Sequence, residues 1–211
     1  MKLSRTRYLL FSIAVIFCSA CASDYKLLKE TAGNAGCFKT LAPYMETSWY
    51  HASVDVVGFH VSGLLLVKQM PDSSYRVVFT NEAGVTFFDF GFSKDGNFTV
   101  HNIIRQMNKR PVIRTLRDDF SLVLGIPFRE GKYSSWMRGE EVLYGVTEKK
   151  ETAYFITSKD CASLHRLELG SSRKQKVVVE ISGDGYPTPE KLELSHKTFN
   201  MQITLTRFQK E

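Results

Sequence analysis

Residues 64–80, Leu64-Leu65-Leu66-Val67-Lys68-Gln69-Met70-Pro71-Asp72-Ser73-Ser74-Tyr75-Arg76-Val77-Val78-Phe79-Thr80, read as two strands folded about a turn. Met70 to Ser74 supplies the turn chemistry, and the flanks are runs of β-branched and aromatic residues. With the turn there, Leu65 and Val67 share a face with Val77 and Phe79, and a similar register sets Phe88 and Phe90 beside Val77 and Tyr75. The hairpin is therefore apolar on one side.

Outward from it, strands are predicted over 49–57, 58–69, 74–80, 85–92 and 97–101, then over 140–148, 152–158, 162–169, 176–182, 190–196 and 199–207. The last alternates cleanly, with Phe199, Met201, Ile203 and Leu205 on one face and Asn200, Gln202, Thr204 and Thr206 on the other. Between the two blocks the period changes. Ile103, Ile104 and Met107, then Ile113, Leu116, Phe120 and Val123, recur at helical spacing. Pro111 suits a first turn, and Gly125 with Pro127 beyond it is a stop signal. Residues 128–138 read as a loop. The expected fold is mainly β, about eleven antiparallel strands with two central helices, and a sheet of that width must curl or close.

The N-terminus sets the compartment. Lys2, Arg5 and Arg7 precede an apolar stretch from Tyr8 to Phe17, the pattern of a signal peptide and too short to span a bilayer. Cys18-Ser19-Ala20-Cys21 resembles a lipobox, which makes Cys21 the acylated mature N-terminus; simple cleavage at Ala20 or Ala22 is the other reading. Acyl chains hold a soluble domain on a membrane without a spanning helix. By resemblance to lipoprotein sorting rules, Ala22 directs the protein to the outer membrane. Residues 1–20 are thus a signal peptide, 21–45 a tether with a short helix near Phe38 to Met45, and 46–211 one domain.

Without residues 1–20 the chain has 25 Lys and Arg against 22 Asp and Glu, so half of its net charge of +6 belongs to the signal peptide. No nucleic-acid partner is expected. Arg173-Lys174-Gln175-Lys176 reads as a solvated hairpin tip or as a contact for anionic headgroups. Cys37 and Cys161 either pair in an oxidising compartment or stay as separate buried thiols. No metal spacing accompanies them.

Catalytic chemistry does not stand out. His51, His60, His101, His165 and His196 are scattered, and Asp118-Asp119 reads as the charged solvent face of a helix. Gly183-Asp184-Gly185 is backbone punctuation in the long turn 183–189, without the recurring acidic ligands of a calcium loop. We expect no enzyme, no cofactor and a monomer. The positive signal is apolar surplus, since Val85 and Phe87 add grease to the other side of the fourth strand. An ordinary core and a ligand cavity both satisfy that pattern.

In order along the chain, Tyr75-Arg76-Val77-Val78-Phe79-Thr80-Asn81-Glu82-Ala83-Gly84, Leu124-Gly125-Ile126-Pro127 and Leu192-Glu193-Leu194-Ser195 resemble the LolB family of outer-membrane lipoprotein receptors and, more loosely, their LolA carriers. The resemblance implies an unclosed antiparallel β-barrel lidded by helices. Its apolar cavity would take acyl chains of lipoproteins from a LolA-like periplasmic carrier and pass them to the membrane, with no cofactor. Leu65, Val67, Tyr75, Val77, Phe79, Phe88, Phe90, Leu116 and Phe120 are the expected cavity lining, around an open hollow. At the hairpin tip that matches the family's membrane-delivery loop the candidates are Ala83, a small residue for that role, and Val85. The alternative is a lipid-anchored binding or structural lipoprotein of the same fold with a different hydrophobic ligand, or none.

Overall fold

The computed structural model describes residues 25, 28–56, 58–172 and 174–208. The expected signal peptide and Cys21 lie outside these residues. The described strands are β1 (Lys29–Glu30), β2 (Ser48–Val56), β3 (Phe59–Gln69), β4 (Tyr75–Thr80), β5 (Thr86–Phe92), β6 (Phe98–Ile103), β7 (Ser134–Arg138), β8 (Glu141–Glu148), β9 (Glu151–Ser158), β10 (Leu164–Ser171), β11 (Gln175–Ser182), β12 (Lys191–His196) and β13 (Met201–Arg207). The helices are α1 (Ala35–Leu41) and α2 (Arg110–Val123), and a 3-10 turn covers Ile126–Phe128.

Every pairing is antiparallel, in one thirteen-stranded sheet ordered β1-β7-β8-β9-β10-β11-β12-β13-β2-β3-β4-β5-β6. Among the described residues β1 and β6 are its unpaired edges, so the barrel does not close. The chain crosses from β6 through α2 to β7, and the last strand β13 lies beside β2 at the centre of the sheet.

The hairpin over residues 64–80 forms with Leu65 opposite Phe79 and Val67 opposite Val77. One register differs. Phe88 faces Phe79, Phe90 faces Val77 and Phe92 faces Tyr75, two residues along from expectation, after an irregularity between Phe79 and Thr80. A shift of two keeps every side chain on its face.

Three other expectations need correction. The first central helix is absent: Ile103 pairs with Phe88 at the end of β6, and residues 105–107 are a turn closed by Met107 N–H to the Ile104 carbonyl. So short a segment cannot offset helix nucleation when its start already satisfies a sheet. The second helix of the fold is α1, capped by Asn34, whose Oδ1 accepts from the N–H groups of Gly36 and Cys37. The loop 128–138 contains β7, a five-residue strand without strong alternation. Phe199 is half exposed in the turn before β13, not on its dry face.

α2 ends as its sequence signals. Gly125 has φ +68°, and a Cβ there would sit 1.7 Å from the Pro43 carbonyl oxygen, so the position requires glycine. β9 is buried along almost its whole length because it is covered twice. Phe155 joins the inner core, while Tyr154 and Ile156 pack outside with Tyr25, Leu28 and Trp136. Cys37 and Cys161 are joined by a disulfide, tying α1 to the β9–β10 turn.

Candidate functional site

The sheet's inner face collects the expected lining. Leu65, Val67, Tyr75, Val77, Phe79, Phe88, Phe90, Leu116 and Phe120 are all buried in one apolar cluster, the last two delivered by α2. Alternation places them: β3, β4 and β5 each turn every second residue inward, and Leu116, Phe120 and Val123 share one stripe of α2. Their rings interlock. Phe88 stacks on Phe90 at 4.4 Å between centroids and meets Phe120 at 5.7 Å.

That interlocking overturns the expected open hollow. The recess between α2 and strands β12 and β13 has a volume of about 10 Å³, room for about one water. Close-packed aromatic and branched side chains leave few voids larger than a water. The larger recess, about 1440 Å³, lies at the seam where the barrel fails to close, between the β5–β6 turn on one side and β8 on the other. Of the nine expected lining residues only Tyr75 borders it, and Lys94, Asp95, Arg117, Asp118, Lys132 and Glu148 make it polar. Arg129 braces this seam: its guanidinium donates to the carbonyls of Ser73, Ser93 and Lys94 and lies 5.1 Å from the Tyr75 ring centroid.

α2 is held to the sheet by more than grease. Tyr186 donates from its hydroxyl to the Val123 carbonyl at 2.8 Å. Asp119, expected on a solvent face, is instead buried on the inner side, with Oδ2 3.1 Å from His196 Nε2. Burial pushes the Asp119 carboxyl above its usual range, and the hydrogen bond and charge of His196 offset only part of this. Its other oxygen, Oδ1, is buried with no hydrogen-bond partner among the described residues. His60 meets Asp55 at 2.7 Å, but that pair is exposed at the β2–β3 hairpin.

A second polar cluster lies on the outer side. Glu168 is buried and takes Arg166 at 2.9 Å, Arg138 at 3.2 Å and the Tyr25 hydroxyl at 3.0 Å, while both arginines also reach Glu141. Burial raises Glu168, but hydrogen bonds from Gln175 and Arg166 and the charge of Arg138 outweigh it and hold it below the usual carboxylate range. Nothing in the sequence flagged this group, since Tyr25 and Glu168 are 143 residues apart.

At the hairpin tips Ala83 is exposed and Val85 is 51% exposed. The largest exposed apolar side chain there was not foreseen: Phe59 is 75% exposed beside the β2–β3 turn. The β3–β4 ladder ends at Leu64 and Thr80, so Phe59 lies beyond the last paired residue of β4. No group of three or more potential metal ligands is assembled among the described residues, and no described helix is long and apolar enough to cross a membrane.

No protein-family model matches the sequence, and a search of curated proteins finds no significant relative. The fold is shared with a LolA superfamily protein of Nitrosomonas europaea, at a TM-score of 0.51 and 7% identity, over 84% of this chain and 93% of that one. A DUF1329 family protein of Desulfovibrio piger aligns at a TM-score of 0.45 and 10% identity, over 83% and 88% of the two chains. A domain of Vibrio parahaemolyticus named for outer membrane lipoprotein sorting aligns at 0.42 and 8%, over 77% and 83%. At such identities the first likeness is one of fold. The chain has a LolA-like fold, an unclosed antiparallel barrel covered by helices.

Proposed function

We propose that this protein is a lipid-anchored receptor of the outer membrane that binds acyl chains against the inner face of its sheet, takes lipoproteins from a LolA-like soluble carrier and passes them to the membrane. It performs no reaction. The observation that carries this reading is the continuous aromatic and aliphatic inner face of an unclosed sheet, covered by one amphipathic helix. Exposing an acyl chain costs about 0.8 kcal/mol per CH₂, so its transfer through water needs such a surface. Since the rings now fill that space, a chain seats itself by displacing α2.

The anchor fits this arrangement. Cys21 is four residues before Tyr25, which Glu168 fixes to the outer wall, so the backbone link from that point to the acylated residue spans at most about 14 Å. Membrane delivery falls to Phe59, which is more exposed than Val85 and larger than Ala83 or Val85.

A second reading has its own support. The close-packed interior favours a lipid-anchored envelope module that takes another hydrophobic ligand or none. Deleting the gene and following other lipoproteins separates the two: a receptor leaves them stranded in the inner membrane, and normal sorting overturns the receptor reading.

A further inference from the structure

The small pocket under α2 holds an acceptor with nothing to accept. Its walls are Phe120, Val123, Leu192, Leu194, Ile203 and Leu205, and Asp119 is the one polar residue among those lining it. Oδ2 of Asp119 is engaged by His196, whereas Oδ1 is buried and has no partner among the described residues. Burying an unpaired acceptor is costly, and a leucine at this position would avoid the cost. With Oδ2 held by His196 Nε2, Oδ1 is the oxygen left to accept a hydrogen bond. Burying an ammonium among these apolar walls carries a large desolvation cost, so a neutral donor suits Oδ1 better.

We propose that Asp119 Oδ1, oriented by His196, is a polar subsite inside the acyl-binding face and accepts a hydrogen bond from a hydroxyl or amide N–H carried on an acyl chain. This rests on the acyl-binding reading and adds selectivity to it. The hydrocarbon lies along Phe120, Leu194 and Ile203, and the donor meets Oδ1 once α2 has yielded room. A chain without a donor fills the same walls and leaves Oδ1 unpaired, so it binds more weakly. Sites built to hydrogen-bond a group discriminate strongly against analogues that lack it.

The test uses the purified full-length chain and displacement of a fluorescent fatty acid by two matched pairs of neutral competitors. Methyl 3-hydroxymyristate against methyl myristate reads the hydroxyl, and N-methylmyristamide against N,N-dimethylmyristamide reads the amide N–H. The donor-bearing member of at least one pair should compete roughly tenfold more strongly, and which pair does so names the source of the donor. Asp119→Leu should abolish that preference, with its folding read independently from circular dichroism and its melting curve. Asp119→Asn, whose amide oxygen still accepts, should retain it. Equal competition within both pairs, or a preference that survives in Asp119→Leu, overturns the subsite. Displacement by none of the four overturns the acyl-binding reading and the subsite together.

Discussion

The hydroxyl of Tyr25 donates to Oε2 of Glu168 at 3.0 Å, and the Tyr25 ring packs against Gly170, where a Cβ would come within 2.6 Å of it. Tyr25 is thereby pinned to the outer wall of β10. Tyr25→Phe keeps the packing and removes one hydrogen bond to a buried charge, worth about 1.5–3 kcal/mol at most because Arg138 and Arg166 remain. Urea denaturation should show a loss in the lower part of that range, and hydrogen exchange should speed up at Lys29 and Glu30 in β1. Unchanged protection of β1 would mean that Tyr25 does not fasten the segment.

The two buried carboxyls leave opposite signatures in acid. Glu168 sits below its ordinary value of 4.5, so its stabilisation is complete above that pH and drains away as the pH falls through its lower folded value. Asp119 sits above its ordinary value of 3.8, so its favourable contribution is complete below that pH and lost as the pH rises through its folded value. Asp119→Asn should therefore raise the melting temperature by a few degrees at pH 8 and leave it unchanged near pH 3. Glu168→Gln should lower it at pH 8 with a deficit that narrows in acid. Melting curves across that range check both, and deficits that do not vary with pH would rule out ionisation as the cause.

The Cys37–Cys161 disulfide spans 124 residues of sequence. Loop-closure entropy for so long a span amounts to about 4–5 kcal/mol. Reduction, or the paired replacement Cys37→Ala with Cys161→Ala, should lower the unfolding free energy by a sizeable part of that amount. Denaturation with and without reductant measures it directly, and coincident curves would show that the bond does not constrain the unfolded chain.

Much of this architecture was legible in local pattern. Period-two alternation identified the hairpins, and Gly125 with Pro127 marked the end of α2, because those signals depend on neighbours in sequence. Asp119 was misread although the signal was present. It lies three residues after Leu116 and beside Phe120, on the buried stripe of α2, and its pairing with Asp118 in sequence drew it toward solvent instead. His196 could not be matched to it from sequence, being 77 residues away on another element. The filled interior was also illegible, since apolar surplus is the same whether side chains interlock or stand apart. Phe59 escaped notice because a strand reading takes an aromatic residue beside a turn for ordinary core.

Gly125 can be tested at its left-handed conformation and its contact with Pro43. Alanine there needs both a strained φ and a shift of backbone, so Gly125→Ala should cost more than the roughly 1–2 kcal/mol of the left-handed conformation alone. Pro43 follows α1 directly, so the loss should loosen the junction between the two helices. Chemical denaturation should report the cost, and a loss of under about 1 kcal/mol would mean that the α1–α2 junction yields easily.

The exposed tips offer a direct test of which residue meets the membrane. A phenylalanine side chain moved out of water gains about 1.5–3 kcal/mol, roughly ten- to a hundredfold in partition, whereas alanine gains little. With three-quarters of its surface in water, Phe59 has that gain still to make, and Leu64 to Thr80 marks where its hairpin leaves the support of β4. Phe59→Ser should therefore reduce transfer of an acylated peptide to liposomes about tenfold or more, while Ala83→Ser changes it less than twofold and Val85→Ser falls between. Because Phe59 is solvent-exposed, its replacement should leave the melting temperature within about a degree of wild type, so reduced transfer reports membrane contact and not unfolding. Equal transfer by all three variants would place the membrane contact elsewhere on the surface.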